Sequence, residues 1–217
     1  MTLTKRNMGP SKRKNGSPKG KIGPRDHGRK MSLKAYEFVQ VQEGYLYELA
    51  RGYIVVSEVP NVLHGLRMIF IRDQLVRFHL DNPGTVHAIF GGSDCKLLMP
   101  SWDSERHPDI SVYLSAPKGR LDRTIWRTWI PDLTIEVVSE GSRDRDYTEK
   151  RDEYWTLGVK EYWIVDAKLD QVLVLKRGRS QWIEDILGPS DRLETKLLPG
   201  FKLPCRAIFE AAPEPKE

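Results

Sequence analysis

The sequence predicts an α/β (α+β) fold, a single domain built on a mixed central sheet with helices at its faces. Segments rich in β-branched and aromatic residues recur between turn-forming residues, which is typical of strands. A strand, helix, strand order near residues 133–166 indicates a right-handed crossover and therefore some parallel pairing. The chain has 217 residues, of which 39% are hydrophobic, and this suffices for one well-packed core.

The first predicted elements are a short helix and a hairpin. Ser32 is suited to cap a helix that runs to about Gln42. The following segment, "YLYELARGYIVVSE", predicts two strands around a tight turn at Arg51-Gly52. This arrangement places Glu48 within a strand.

A long helix and a series of strands follow. Asn61 is suited to cap the helix "NVLHGLRMIFIRDQLVRFHLDN", which Asn82-Pro83-Gly84 would end. One further helix is expected at about residues 144–157. Strands are predicted in "TVHAIF", "KLLM", "PDISVYL", "LTIEVV", "EYWIVD" and "QVLVLKR".

Positive charge is concentrated at the N-terminus. Residues 1–30 contain ten Lys or Arg and a single acid, Asp26, whereas the rest of the chain holds 25 basic and 29 acidic residues. With few apolar residues, residues 1–30 are predicted to form a disordered basic tail. Such a tail can bind phosphates or can be a solvated extension. The folded domain is expected at 31–211, with a flexible C-terminus at 212–217.

Composition also excludes several classes of protein. No run of about 18 apolar residues is present, and the N-terminus lacks a secretory signal, so we expect a soluble, cytoplasmic protein with no membrane contact. Cys95 and Cys205 lie far apart, which excludes a zinc finger or a disulfide framework.

A glutamate interrupts the apolar strand "PDLTIEVV". Desolvating a carboxylate there is costly unless a cation or hydrogen-bond donors compensate it, although a face open to water would cost nothing. Strand alternation places Leu133, Ile135 and Val137 on one face and Asp132, Thr134, Glu136 and Val138 on the other.

Asp109 opens the earlier strand in "HPDISVYL". By itself it could be a turn residue after Pro108. Together with Glu136 on a neighbouring strand, it could hold one magnesium or manganese ion, because these hard cations prefer oxygen ligands and retain several waters.

Lys150 lies on an otherwise apolar helix stripe. The stripe follows helical spacing, so Lys150 points inward, either as a snorkelling stem or as an ammonium that orients or deprotonates water near Glu136. Its members are Tyr147, Lys150, Tyr154 and Leu157.

Several separated segments closely resemble the Uma-two (Uma2) family of restriction-endonuclease-like proteins. They are "YELARGYIVVSEVPNVLHG", "PDISV", "PDLTIEVVSEGSRDRDYTEKRDEYWTLGVKEYWIVD" and "LLPGFKLP", in that order. The resemblance covers about residues 32–210. It implies the PD-(D/E)XK nuclease fold, a restriction-endonuclease-like mixed central sheet flanked by helices, and magnesium-dependent cleavage of phosphodiester bonds.

The resemblance also implies roles for individual residues. Asp109 and Glu136 would bind Mg²⁺ or Mn²⁺, Glu48 would be an additional or water-mediated ligand, and Lys150 would be the catalytic lysine. His64 would contact substrate or hold the start of its helix. The usual lysine position, two after Glu136, holds Val138, so Lys150 would be a displaced replacement.

The leading hypothesis is therefore a metal-dependent endonuclease whose substrate is DNA, with a homodimer expected by analogy with restriction enzymes. The alternative is a nuclease-fold protein with little activity that binds nucleic acid, which Val138 and the basic tail favour. A two-carboxylate glycosidase ranks last, because no aromatic sugar-binding platform is evident.

Overall fold

The computed structural model describes residues 21–212 and shows a mixed α+β domain with three sheets. The helices are α1 (Leu33–Tyr36), α2 (Val62–Asp81), α3 (Lys150–Leu157) and α4 (Cys205–Glu210). The strands are β1 (Tyr45–Ala50), β2 (Tyr53–Glu58), β3 (Ala88–Gly91), β4 (Leu97–Met99), β5 (Ser104–Arg106), β6 (Ile110–Tyr113), β7 (Leu133–Val137), β8 (Glu161–Asp166), β9 (Gln171–Arg177), β10 (Trp182–Leu187), β11 (Arg192–Glu194) and β12 (Lys202–Pro204).

The central sheet has six strands in the order β10-β9-β8-β7-β6-β3. Strands β7 and β8 are parallel and are joined through α3, and the other neighbouring pairs in this sheet are antiparallel. This confirms the mixed sheet and the parallel crossover. The carboxyl end of β7 and the start of β6 meet at one edge, which fixes where their polar residues lie.

A second sheet of four strands, in the order β2-β1-β5-β4, carries the predicted hairpin. Its turn has positive φ at both Arg51 (49°) and Gly52 (81°). A two-residue turn with positive φ at both positions has a backbone twist that matches the twist of the flanking strands. Within this hairpin Glu48 pairs with Val55 in the middle of β1, as expected.

The two faces of the central sheet pack differently. One face packs on α2 and α4 in an apolar core that includes Ile135 and Trp163. The opposite face packs on α3, where Tyr154 and Tyr162 are fully buried. Both faces are therefore covered, which excludes a water-exposed face for β7.

The folded domain starts earlier than the sequence suggested. Ile22 is fully buried, and its backbone pairs with Gln40 and Gln42, so residues 21–30 pack on the domain instead of belonging to a tail. The same pairing ends the first helix at Tyr36, well short of Gln42. Residues 1–20 of the predicted tail lie outside the described residues.

The C-terminal boundary also shifts by one residue. Ala212, placed in the flexible terminus, is fully buried, and its carbonyl accepts a hydrogen bond from Arg67. Residues 213–217 lie outside the described residues. Strands β5 and β10 to β12 and helix α4 were not predicted, because they are short or lack a clear hydrophobic period.

The predicted start of the long helix is confirmed. Asn61 caps α2 by accepting from the His64 backbone N–H at 2.9 Å, and α2 has 20 residues. Cys95 and Cys205 are free and buried. Within residues 21–212, no helix combines the length and apolar character needed to cross a membrane.

Candidate active site

The five predicted site residues line one cavity of about 1010 Å³. They come from the hairpin, the start of α2, the residue just before β6, strand β7 and helix α3, so distant parts of the sequence converge there. The five are Glu48, His64, Asp109, Glu136 and Lys150. The cavity also has an extensive wall from residues 27–60, including Tyr36 and Tyr47.

Glu136 lies at the buried centre of the site. It is 3% exposed, the Tyr154 hydroxyl donates to its Oε1 at 2.7 Å, and Lys150 Nζ lies 3.0 Å from the same oxygen. Burial raises the pKa of Glu136 to about 8; the Lys150 ammonium opposes this, and the nearby carboxylates add to it. The site therefore holds more negative charge than its lysine compensates. The carboxylates that help to raise the pKa of Glu136 belong to Asp109, Asp146 and Glu48.

Asp109 is held beside Glu136 by the register of the sheet. Ile110 pairs with Ile135 across the antiparallel strands β6 and β7, so the residue before Ile110 reaches the end of β7. Its Oδ2 accepts from the Val137 backbone N–H at 2.8 Å. These contacts hold the Asp109 carboxylate in one orientation at the end of the strand. A residue that only formed a turn would not need them.

His64 contacts Asp109. Its Nε2 lies 3.1 Å from Asp109 Oδ2, and the imidazole is almost completely buried. Burial alone would lower the pKa of His64, but the hydrogen bond and charge of Asp109 outweigh it and raise the pKa. The role that the structure supports best for His64 is to orient Asp109, although it also lines the cavity.

Lys150 is clamped between two carboxylates. Its Nζ lies 2.9 Å from Asp146 Oδ1 and 3.0 Å from Glu136 Oε1. Burial would lower the pKa of Lys150, but Asp146, Glu136 and Glu48 together raise it above its ordinary value. Lys150 therefore stays an ammonium near neutral pH. It can therefore donate hydrogen bonds or stabilise negative charge.

The helix that carries Lys150 begins irregularly. Residues Arg145–Glu149 form a π-helical turn that continues directly into α3. Turns of this kind are rare and often occur at functional sites. Here the turn places Asp146 in contact with Lys150, and the Ser142 hydroxyl donates to Asp146 Oδ2 at 2.7 Å.

Glu48 faces the site from the second sheet. Its Oε2 lies 3.2 Å from Arg106 Nη1, and its Oε1 accepts from the His107 backbone N–H at 3.1 Å. Burial would raise the pKa of Glu48, but Lys150, Arg106 and the His107 N–H bring it down to about 2. Glu48 is therefore a stable carboxylate.

Three residues of the site were missed from the sequence. Asp146 was not predicted as a site residue, yet it is 1% exposed and pairs with Lys150; its i, i+4 spacing could have indicated this. Tyr154 was assigned to the apolar stripe, although its hydroxyl binds Glu136. Arg106 carries no local signal, because its partners are more than 40 residues away.

The residues present fit a hard divalent cation. Asp109 and Glu136 offer carboxylate oxygens to the same cavity, and magnesium commonly uses one or two carboxylates with several waters and substrate oxygens. A bound cation would also offset the burial, and the repulsion from nearby carboxylates, that together raise the pKa of Glu136. Among residues 21–212, no three His, Cys, Asp or Glu side chains are already gathered as a metal cage.

Comparison with known proteins gives two findings. The profile of the Uma2 family, described as "Putative restriction endonuclease", matches residues 33–206. A solved structure, described as "a putative nuclease belonging to DUF820 from Anabaena variabilis ATCC 29413", matches with a TM-score of 0.67 and 18% identity, covering 84% of this chain and 99% of that one. At that identity the likeness shows the fold. No curated protein matches the sequence.

Proposed function

Because this chain belongs to the Uma2 family, we propose that it is a metal-dependent endonuclease that hydrolyses phosphodiester bonds of DNA. The observation that carries the proposal is the convergence of Asp109, Glu136 and Lys150 on one cavity, with Lys150 held as an ammonium against Glu136.

Asp109 and Glu136 would hold the magnesium or manganese ion, with Glu48 as an additional or water-mediated ligand. When bound, the ion activates water and neutralises charge on the scissile phosphate. His64 and the Val137 N–H keep Asp109 in place, and the Tyr154 hydroxyl does the same for Glu136. Preorganised groups of this kind need no rearrangement during reaction.

Lys150 would act on the phosphate rather than on the water's proton. Its ammonium is fixed by Asp146 and Glu136 and can donate toward negative charge that develops in the cavity. Lys150 would stand in for the lysine that PD-(D/E)XK nucleases usually carry two positions after the glutamate, since the Uma2 pattern has a lysine on the following helix. Val138 occupies the position two after Glu136 and packs beside the apolar residues under α3.

The direct test is to incubate the intact protein with supercoiled plasmid, single-stranded DNA and RNA, with Mg²⁺ or Mn²⁺ and with EDTA. We expect metal-dependent cleavage of DNA that Glu136→Gln lowers by about 10² to 10³. Absence of metal-dependent cleavage, or equal cleavage by the Glu136→Gln variant, would overturn the proposal.

A second candidate is a nuclease-fold protein with little activity that binds nucleic acid, favoured by Val138 in the usual lysine position. It would show salt-dependent DNA binding, with no nicking under any metal condition. Measuring DNA binding and DNA cleavage on the same protein sample distinguishes the two candidate functions.

A further inference from the structure

A buried arginine connects the two halves of the site. Arg106, the last residue of β5, has a completely buried side chain and contacts three carboxylates. Removing an arginine from water is costly, and its three acidic partners offset that cost.

The contacts of Arg106 reach both strand β1 and the helix that carries Lys150. Its Nε and Nη2 form a fork on Glu153, at 2.7 and 3.2 Å, and Nη2 also donates to Glu149 at 2.9 Å. Its remaining arm, Nη1, lies 3.2 Å from Glu48. Glu149 and Glu153 stand on either side of Lys150 along the chain, so Arg106 ties that helical segment to Glu48.

The arrangement leaves Glu48 little freedom. One oxygen accepts from Arg106, and the other accepts from the backbone N–H of the next residue, His107. Each carboxylate oxygen still has a second lone pair that can face a water or a cation. The guanidinium fork is rigid and planar, so a lysine would keep the charge but could not contact all three acids with the same geometry.

We propose that Arg106 is a positioning residue, whose guanidinium fixes Glu48 relative to the Lys150 helix and thereby sets the affinity of the site for its divalent cation. The inference rests on the proposed function. It assigns no direct contact between Arg106 and the substrate. Partners that hold metal-binding carboxylates commonly change metal affinity by about 10-fold to 100-fold when they are altered.

The test measures Mn²⁺ binding by electron paramagnetic resonance on the intact protein, alongside the melting temperature. We expect Arg106→Lys to weaken Mn²⁺ binding by about 10-fold or more. In a Glu48→Gln background the same substitution should weaken binding little further, because two residues that act through one contact are not additive.

A matched control is Arg177→Lys. Arg177 also makes a fork of contacts, to the carbonyls of Val159 and Trp155 at the far end of α3, and it does not line the cavity. Its replacement should lower the melting temperature while leaving Mn²⁺ affinity at the wild-type value. The control separates a loss of helix packing from a loss of Glu48 positioning.

A variant with two changes covers the case in which Arg106→Lys does not fold. Arg106→Gln combined with Glu153→Gln removes the guanidinium together with the most buried of its three carboxylate partners, whose charge would otherwise lose its closest cation. It should fold and bind Mn²⁺ weakly.

Wild-type Mn²⁺ affinity in either folded Arg106 variant would overturn the inference, as would independent, multiplying effects of Arg106→Lys and Glu48→Gln. In both cases metal-dependent cleavage by the wild type would leave the proposed function standing. Absence of Mn²⁺ binding by the wild type would overturn both.

Discussion

The two faces of strand β7 differ in what they bury. Ile135 and Val137 lie in an apolar core, while Glu136, between them in sequence, lies among a lysine, a tyrosine and other carboxylates. Neither face is open to water, since Ile135 is completely buried and Glu136 is 3% exposed. One short strand therefore supplies stability through one face and a charged site through the other.

The comparison teaches that the two faces are stabilised by different means. Apolar burial stabilises the first face in proportion to the area removed from water. The second face buries charge at a cost, and only paired charges and hydrogen bonds offset that cost. Substitutions on the two faces should therefore separate activity from stability.

The largest effect is expected for Glu136→Gln. The amide nearly preserves shape but cannot act as a carboxylate, so metal-dependent cleavage should fall by about 10² to 10³. The fold should persist, because the change removes a carboxylate whose burial is unfavourable. Initial nicking rates and the free energy of unfolding, measured on the same preparation, check both parts; unchanged nicking would contradict the assignment of Glu136.

Ile135→Ala should lower stability and leave cleavage nearly unchanged, the opposite of Glu136→Gln. It leaves a cavity in the apolar core behind the site and should lower the free energy of unfolding by about 2–5 kcal/mol. Cleavage per folded molecule should change little, because the side chain points away from the cavity. Urea unfolding and active-site-normalised rates measure the two quantities. A loss of rate per folded molecule larger than that of Glu136→Gln would show that the faces are not separable.

The pH dependence of stability should distinguish the charged face. The pKa of Glu136 is about 8 in the folded protein and 4.5 in the unfolded chain, so the folded state binds the proton more tightly. The stabilisation from this proton is complete below pH 4.5 and is lost as pH rises through about 8. Without metal, the wild type should lose stability relative to Glu136→Gln across that interval.

Adding Mg²⁺ should reverse the trend, because an ion that binds only the folded state stabilises it. The free energies of unfolding of the wild type and Glu136→Gln, measured from pH 4.5 to 8 with EDTA or Mg²⁺, give the comparison. Parallel curves with no Mg²⁺ response would contradict both the buried charge and the cation site.

The sequence predicts one part of the site better than the other. The inward orientation of Glu136 and Lys150 could be predicted because each breaks a regular apolar period, in a strand and in a helix respectively, and both side chains are buried. Asp109 became informative only through the strand register, since its contact with Val137 spans 28 residues. Local sequence patterns predict which way a side chain points, but they do not predict which residues it contacts in the folded protein.

Arg106 is a clearer example of a residue whose contacts the sequence does not predict. It lies on a three-residue strand without a recognisable period, and its partners are 43 to 58 residues away. The π-helical turn before Lys150 was likewise predicted only as ordinary helix. Both features follow from tertiary packing, which a single sequence does not display.

Tyr154→Phe is the mildest way to disturb the charged face. The substitution keeps the buried ring, which packs edge-on against Tyr162 at 4.9 Å, and removes only the hydrogen bond to Glu136 Oε1. A hydrogen bond to a charged group contributes about 1.5–3 kcal/mol, and less if Glu136 is protonated. Cleavage should therefore fall by about 10-fold, less than for Glu136→Gln.

The dependence on pH supplies the control for that variant. With Mg²⁺ present Glu136 is expected to be ionised, so the loss of the Tyr154 hydroxyl should matter more with metal than without it. Rates across pH 6–9 and Mn²⁺ titrations of the two proteins measure this difference. A Tyr154→Phe protein with wild-type rate and wild-type Mn²⁺ affinity would show that Lys150 and the bound cation alone suffice to hold Glu136.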